Sequence, residues 1–528
     1  MSKVKAFLSL FVTRPRLGYV AVFLLPLALY TLIQLQPSFK DPDSFYHAGI
    51  TRLIVQQIAP VTEFPWLPFT TLADTFADQH FFYHLLLIPF GWLFGSLAGL
   101  KVAAVIFGAA AITAFYFAAR SLRLHSILPL VLATVLATSM NFMFRLNLAK
   151  AASLSVVLLM LGVAALARRN WLALAGLSFI YVWAHGSWPL LIFITVCFWL
   201  TEKEPQKLFK KERLILPIAS IGGTLAGLII NPFFPQNLLF YWYQTVHAAL
   251  INYADVINVG QEWLPYEPSS LFRQNGSVFL LLIIAAVVWL SARLWQEQVR
   301  RSVVPTDWPE RCSHVFALAI ISIVFLLLAI KSQRHVEYFV PFALLLAGAS
   351  FDLLFRRFNL RRLWQLSFGG SQRFVAVAGL FLCLVFPLLA IRDVYLVTKS
   401  FHWDKPSTPW TRFESATSWM QLHLPVDAMV FHGNWADFPA LFYRAPEFHY
   451  IAGLDPTFLY LKDPARFIAW RAAVENRTPD LSAVVKSFDA QYVLVRKVEA
   501  DFRSAVEADN DFRLVYEDEE VQIFMLFP

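Results

Sequence analysis

Apolar stretches at about 17–35, 102–119, 127–143, 153–167, 171–184, 189–201, 214–231, 276–293, 313–330, 338–354 and 374–396 constrain this chain more than any other feature. A crossing helix needs roughly 20 apolar residues, fewer if it is short or broken. Inside hydrocarbon every backbone N–H and C=O must be paired within its own segment, so such stretches can only be helices. Charged residues are 15% of the chain and apolar ones 58%, against about 25% charged in a soluble domain. The expectation is a polytopic α-helical membrane protein with about eleven spans. The stretch 84–98 is broken by Pro89, Gly91 and Gly95 and reads as a surface or re-entrant helix.

The formal net charge of +8 sits mostly in short loops between apolar stretches. No cluster of basic and aromatic residues argues for nucleic acid. If 84–98 does not cross, all the basic loops fall on one side: Arg120 and Arg123, Arg168 and Arg169, Lys203 to Arg213, Arg293 to Arg311, and Arg356 to Arg373. That satisfies the positive-inside rule with a cytoplasmic N-terminus. The expected location is a bacterial-type inner membrane, multi-pass, with the C-terminal region periplasmic or extracellular. Lys3, Lys5, Arg14 and Arg16 precede an apolar run too long for a signal-peptide core, which reads as an uncleaved first span. Cys197, Cys312 and Cys383 form no metal or disulfide spacing.

From about residue 398 the composition shifts toward Asp, Glu and Pro. QYVLVRKV and VQIFMLF read as strands, WMQLHL and ARFIAWRAAV as helices. Two domains are expected: a membrane domain at 1–397 and an extracytoplasmic α/β domain at 398–528.

The polar residues that the apolar core cannot explain fall on the predicted outer segments. Asp43 stands at the start of a helix just beyond the first span, placed to accept a proton or ligate a hard cation. Arg145 and Lys150 occupy the second outer turn, either snorkelling to the interface or forming a basic lip for an anionic headgroup. Glu262 lies between Trp263 and residues typical of an interfacial belt. Arg334 and His335 fill a tight turn between two spans. A guanidinium there suits a lipid phosphate, unless it pairs with Glu337 to close the hairpin. ADQHFFYH, at 77–84, mixes carboxylate and imidazole without matching a metal spacing. Trp435 and Asp437 follow a strand-like segment and could form a recognition edge.

In this order the pieces resemble the catalytic subunit of oligosaccharyltransferase, a GT-C membrane glycosyltransferase. Asp43 with Arg52 looks like that family's first-loop Asp and following Arg. Arg145 is similar to the Arg of its second outer turn, Glu262 to its loop Glu, and Arg334 to the Arg that binds the donor phosphate. NWADF, at 434–438, resembles its W-W-D motif. Asn434 stands in place of the first Trp, and Ala152 and Leu154 in place of two acidic metal ligands. The resemblance implies an inverting glycosyltransferase with a polyprenyl-phosphate or pyrophosphate sugar donor. Asp43 and Glu262 would be catalytic and would bind Mg2+ or Mn2+. Arg334, Arg145, Lys150, His335, Trp435 and Asp437 would bind substrate. The acceptor would be a protein, glycan or lipid. Two rival readings are a transporter or flippase of lipid-linked saccharides and a membrane assembly protein.

Overall fold

The computed structural model describes residues 14–202, 210–251, 253–300, 306–367, 372–404, 407–478 and 480–527. Lys3, Lys5, Lys203, Lys207 and Arg301, used above for orientation, lie outside them. Every one of the eleven apolar stretches is helical. Among the described residues, seven helices are long and apolar enough to cross a membrane: Arg16–Ile33, Ser96–Ser121, Lys211–Ile229, Gly276–Leu294, Trp308–Lys331, Gln333–Arg357 and Leu380–His402. Leu128–Thr138 and Met140–Leu146 meet at a bend of 72° and make an eighth if taken as one broken span.

The expected count of about eleven does not follow from length. Ala152–Ala167, Trp171–Ala184 and Pro189–Thr201 have 16, 14 and 13 residues. At 1.5 Å per residue the longest covers only about 24 Å of a roughly 30 Å hydrocarbon layer. Phe81–Phe94, inside the ambiguous stretch, has 14 residues and stops at Gly95, whose φ of +80° few side chains tolerate.

The chain groups into two compact units. The first joins Met1–Gln36, Val102–Gly227 and Glu262–Lys405. Its buried centre includes Val336–Arg357, in which Tyr338, Phe339, Phe342, Leu344 and Leu345 are all at most 2% exposed. On its basic-loop side, Arg311 donates to Asp352 at 2.6 Å, and Asp352 also accepts from Arg356 at 3.0 Å. Part of the basic signal is thus spent inside a buried ion-pair network rather than in solvent.

The second unit joins Pro37–Lys101, Leu228–Gln261 and Pro406–Pro528. The expected boundary at 397/398 grouped the first two of these segments with the spans. Strands β1 (Ser38–Phe39) and β2 (Thr408–Pro409) pair antiparallel. A five-stranded sheet follows from β3 (Met429–His432), β4 (His449–Tyr450), β5 (Tyr492–Arg496), β6 (Phe512–Glu517) and β7 (Val521–Leu526), in the order β4-β3-β5-β7-β6. β3 runs parallel to β4 and β5, while β5, β7 and β6 are antiparallel in turn. Val430, Phe431, Val493, Leu494, Val495 and Ile523 are at most 1% exposed. Continuous apolar runs of that kind belong to strands covered on both faces.

The helix Asp43–Gln57 packs against this unit. Arg52 donates to the Tyr443 carbonyl and lies 4.7 Å over the Tyr443 ring. Trp66 donates through Nε1 to the Pro446 carbonyl at 2.6 Å, and its own carbonyl accepts from Tyr450 N–H at 2.8 Å. Lys462 reaches Asp74 at 2.7 Å. A Cβ on Gly453 would lie 2.3 Å from the Phe438 ring, and Phe438 is fully buried. Gly453→Ala is therefore expected to destabilise the second unit by about 1–3 kcal/mol. Thermal denaturation of the purified protein, followed by near-UV circular dichroism, measures this; an unchanged midpoint would contradict the packing described.

Candidate active site

Ser139 is extended, so the helix breaks there and restarts as the short turn Met140–Leu146. That bend carries Arg145 inward, to 7% exposure. Its guanidinium fork divides between two carboxylates. Nε and Nη2 reach Glu337 Oε2 at 3.1 and 3.0 Å, and Nη1 donates to Glu262 Oε2. Glu262 Oε1 lies 3.7 Å from Arg334 Nη1. The Arg334 guanidinium sits 4.2 Å over the Trp263 ring, a cation–π geometry that fixes its plane.

The turns that hold these groups are stitched together by hydrogen bonds. Gln333 N–H donates to Leu264 O at 3.1 Å and Tyr266 N–H to Ile330 O at 3.2 Å. Ser332 Oγ donates to Glu262 O at 2.9 Å. Asn141 donates to the Tyr266 hydroxyl at 2.6 Å. Next to Glu337, the Tyr338 hydroxyl meets Ser187 Oγ at 2.7 Å and Ser155 Oγ at 3.3 Å, and Ser155 meets the Tyr181 hydroxyl at 2.6 Å. The alternative reading, a hairpin pair of Arg334 with Glu337, gives way to Arg145 with Glu337, a partner 192 positions away in sequence.

Burial alone would raise the Glu262 carboxyl. The charges of Lys150, Arg145 and Arg334, with the Arg145 hydrogen bond, hold it well below the ordinary carboxylate range. Glu262 is thus a permanent anion and not a proton carrier. Three cations face two carboxylates, which leaves one net positive charge. Glu337 is fully buried. Its Oε1 and the Nδ1 of His335 have no hydrogen-bond partner among the described residues; each such atom costs about 1–3 kcal/mol until something satisfies it.

Asp43, Trp435 and Asp437 belong to the second unit. Asp43 opens the helix Asp43–Gln57, half-buried, and its N–H donates to Asp41 Oδ1 at 3.0 Å. The helix N-terminus favours its negative charge. Trp435 and Asp437 form a short 3-10 turn. Trp435 Nε1 donates to Asn258 O at 3.2 Å. Together with Trp470, Asn434, Arg471, Glu475 and Glu499 it lines a cavity of about 230 Å³. Asp437 is buried instead, 3.2 Å from Arg496 Nη1, and burial pushes its carboxyl up to about 7.

The second unit also holds a polar chain that the sequence reading undervalued. Asp78 Oδ2 meets His84 Nδ1 at 2.6 Å, and His84 Nε2 meets His47 Nδ1 at 2.8 Å. The mixture of carboxylate and imidazole in ADQHFFYH, which holds Asp78 and His84, was a weak signal for it; nothing local joined His47 to them.

The fit to a divalent cation is poor. Among the described residues no group of three or more His, Cys, Asp or Glu side chains could hold a metal ion. Ala152 and Leu154 offer no ligand atom. Glu262 is already neutralised by arginines.

No protein-family model matches the sequence, and no curated protein matches it either. Solved structures do. The archaeal oligosaccharyltransferase AglB from Archaeoglobus fulgidus, in complex with an inhibitory peptide and a dolichol-phosphate, is 14% identical, with a TM-score of 0.59 over 94% of this chain and 72% of that one. The arabinofuranosyltransferase AftD from Mycobacteria is 13% identical, with a TM-score of 0.60 over 97% of this chain but 40% of its own. ArnT from Cupriavidus metallidurans bound to undecaprenyl phosphate is 14% identical, with a TM-score of 0.52 over 96% and 97%. At such identities the likeness speaks for the fold: this is a multi-pass membrane protein of GT-C architecture.

The depressed Glu262 carboxyl has a consequence for stability. Its folded value lies below the unfolded one, so its contribution is fully present above about pH 4.5 and fades as pH falls through the folded value. Glu262→Gln should lower the melting temperature at pH 7, and the gap from wild type should narrow below pH 4.5. A gap that stays constant with pH, read by thermal denaturation in detergent, would contradict the ion cluster.

Proposed function

We propose that this chain is an inverting membrane glycosyltransferase that moves a sugar or oligosaccharide from a polyprenyl-phosphate or pyrophosphate donor to an extracytoplasmic acceptor. The observation that carries the reading is the Arg145–Glu262–Arg334 cluster: a rigid, net-positive group held on turns at the ends of apolar helices. The likeness to proteins solved with dolichol-phosphate and undecaprenyl phosphate supports the donor class.

In this reading Arg334, with Arg145 and Lys150, receives the donor phosphate. Glycosyl transfer breaks the bond from the anomeric carbon to the phosphate oxygen, and negative charge grows on that oxygen. Arg334 accelerates the step to the extent that it binds the leaving phosphate better than the donor. Glu262 and Trp263 hold the guanidinium plane, so little reorganisation accompanies the step. A sugar or acceptor hydroxyl would satisfy Glu337 Oε1, and one bearing an oxygen acceptor would serve the His335 ring when its Nδ1 carries the proton. Asp43 takes the proton of the attacking acceptor group. Trp435 and its cavity select the acceptor, with Asp437 fixing the Trp435 turn. No step runs through a metal ion. The location that fits is an inner membrane, with the N-terminus cytoplasmic and the second unit outside.

Transfer from an undecaprenyl-phosphate-linked sugar by the purified protein tests this. Asp43→Ala should lower kcat by about 10²–10⁴-fold and Arg334→Ala by about 10²–10³-fold. Arg334→Lys should recover only part of the loss, because an ammonium cannot reproduce the planar fork. Undiminished transfer by both alanine variants would remove the mechanism, and transbilayer movement of intact donor without turnover would favour a flippase.

A further inference from the structure

The Asp78–His84–His47 chain is buried throughout: Asp78 is 4% exposed, His84 0% and His47 3%. Its links are 2.6 and 2.8 Å. Asp78 Oδ1 accepts the His80 N–H at 2.9 Å, so the carboxylate is fixed at both oxygens. With Asp78 ionised, His84 must carry its proton on Nδ1 and accept on Nε2. His47 must then carry its proton on Nδ1, which makes its Nε2 the basic nitrogen. Asp78 and His84 thus impose one tautomer on His47, which stands one helical turn from Asp43: Asp43 and His47 are i and i+4 on the helix Asp43–Gln57. Residues so spaced have side chains about 5–6 Å apart at Cβ, within reach directly or through one water.

The surroundings suit proton movement. The rings of His80 and Tyr83 lie 5.2 and 5.3 Å from that of His47, and the Tyr46 ring 5.6 Å. Burial, then the charges of Asp78 and Asp43, push the Tyr46 phenol well above its ordinary value, so both carboxylates act on one neighbourhood. Asp78 acts on Tyr241 in the same way.

We propose that Asp78, His84 and His47 form a proton relay behind Asp43, which empties the base during sugar transfer. This rests on the glycosyltransferase reading. The acceptor proton passes to the Asp43 carboxylate and then to His47 Nε2. The His47 Nδ1 proton moves to His84 Nε2, and the His84 Nδ1 proton to Asp78 Oδ2. Each imidazole ends neutral in its other tautomer, Asp78 ends neutral, and Asp43 ends ionised. One proton has crossed the chain and every hydrogen bond has reversed direction. Asp43 is thereby returned to its negative form as the sugar carbon gains positive charge. His47 and Asp78 are positioning and relay residues; only Asp43 meets substrate.

The test uses full-length protein in nanodiscs, with release of lipid phosphate from an undecaprenyl-phosphate-linked hexose and nitrogen-15 NMR of labelled histidines. His47→Gln and Asp78→Asn are each expected to lower kcat about 10–100-fold with donor KM unchanged, and to move the acid limb of the pH–rate profile to lower pH. Wild-type His47 and His84 should both be neutral with the proton on Nδ1, and Asp78→Asn should erase that preference. If either variant is unstable, the wild-type tautomers decide: a mixture at either ring overturns the relay. Wild-type kcat and pH profile in both variants, with only a lowered melting temperature, would reduce the chain to a structural staple. Wild-type protein that turns over no donor overturns the glycosyltransferase reading itself, a result distinct from active enzyme with an indifferent relay.

Discussion

Arg145 is the constraint on which the first unit turns. A guanidinium at 7% exposure among apolar helices would be prohibitive alone, since an ion loses several kcal/mol of hydration on burial even after relaxation. It is tolerated because Glu337 and Glu262 approach from two different turns, and Glu262 then holds Arg334. One buried cation thereby fixes the relative positions of three chain segments far apart in sequence. Removing either carboxylate leaves a charge uncompensated, which is why such a cluster gives geometric definition more than net stability.

In the proposed function the same charges serve recognition. A cluster with as many carboxylates as cations would repel and attract a phosphate about equally. Here Lys150 tips the balance, and the Glu262 carboxyl, pinned far below its ordinary range, does not change charge near neutrality. The site presents a constant field to an incoming anion. Buried Asp437, pushed up to about 7, behaves differently: it sits where the charge can change.

Much of the architecture was legible in the sequence because hydrophobic pattern is local. All eleven apolar stretches are helices, and QYVLVRKV and VQIFMLF became β5 and β7 as their runs of Val, Ile, Leu and Phe implied. What local pattern could not supply was pairing. Arg334 and Glu337 stand three apart and invited an ion pair, yet Glu337 is taken by Arg145. Asp78 and His84 were readable as neighbours, but His47 joins them across 37 positions. The span count of about eleven is not confirmed for a related reason: Ala152–Ala167, Trp171–Ala184 and Pro189–Thr201 are apolar but shorter than a full crossing. The GT-C resemblance, resting on the order of a few charged residues, correctly anticipated the fold while two of its acidic positions, Ala152 and Leu154, departed from the pattern.

The second unit is written in three separate instalments, Pro37–Lys101, Leu228–Gln261 and Pro406–Pro528. β1 stands in the first of these segments, whereas its partner β2 and the whole five-stranded sheet stand in the third. Without the third, Trp66, Arg52 and the Asp43 helix lack the surfaces they pack on. A chain cut between the second and third segments would keep the Asp43–Gln57 helix but lose the Tyr443 and Pro446 carbonyls to which Arg52 and Trp66 donate.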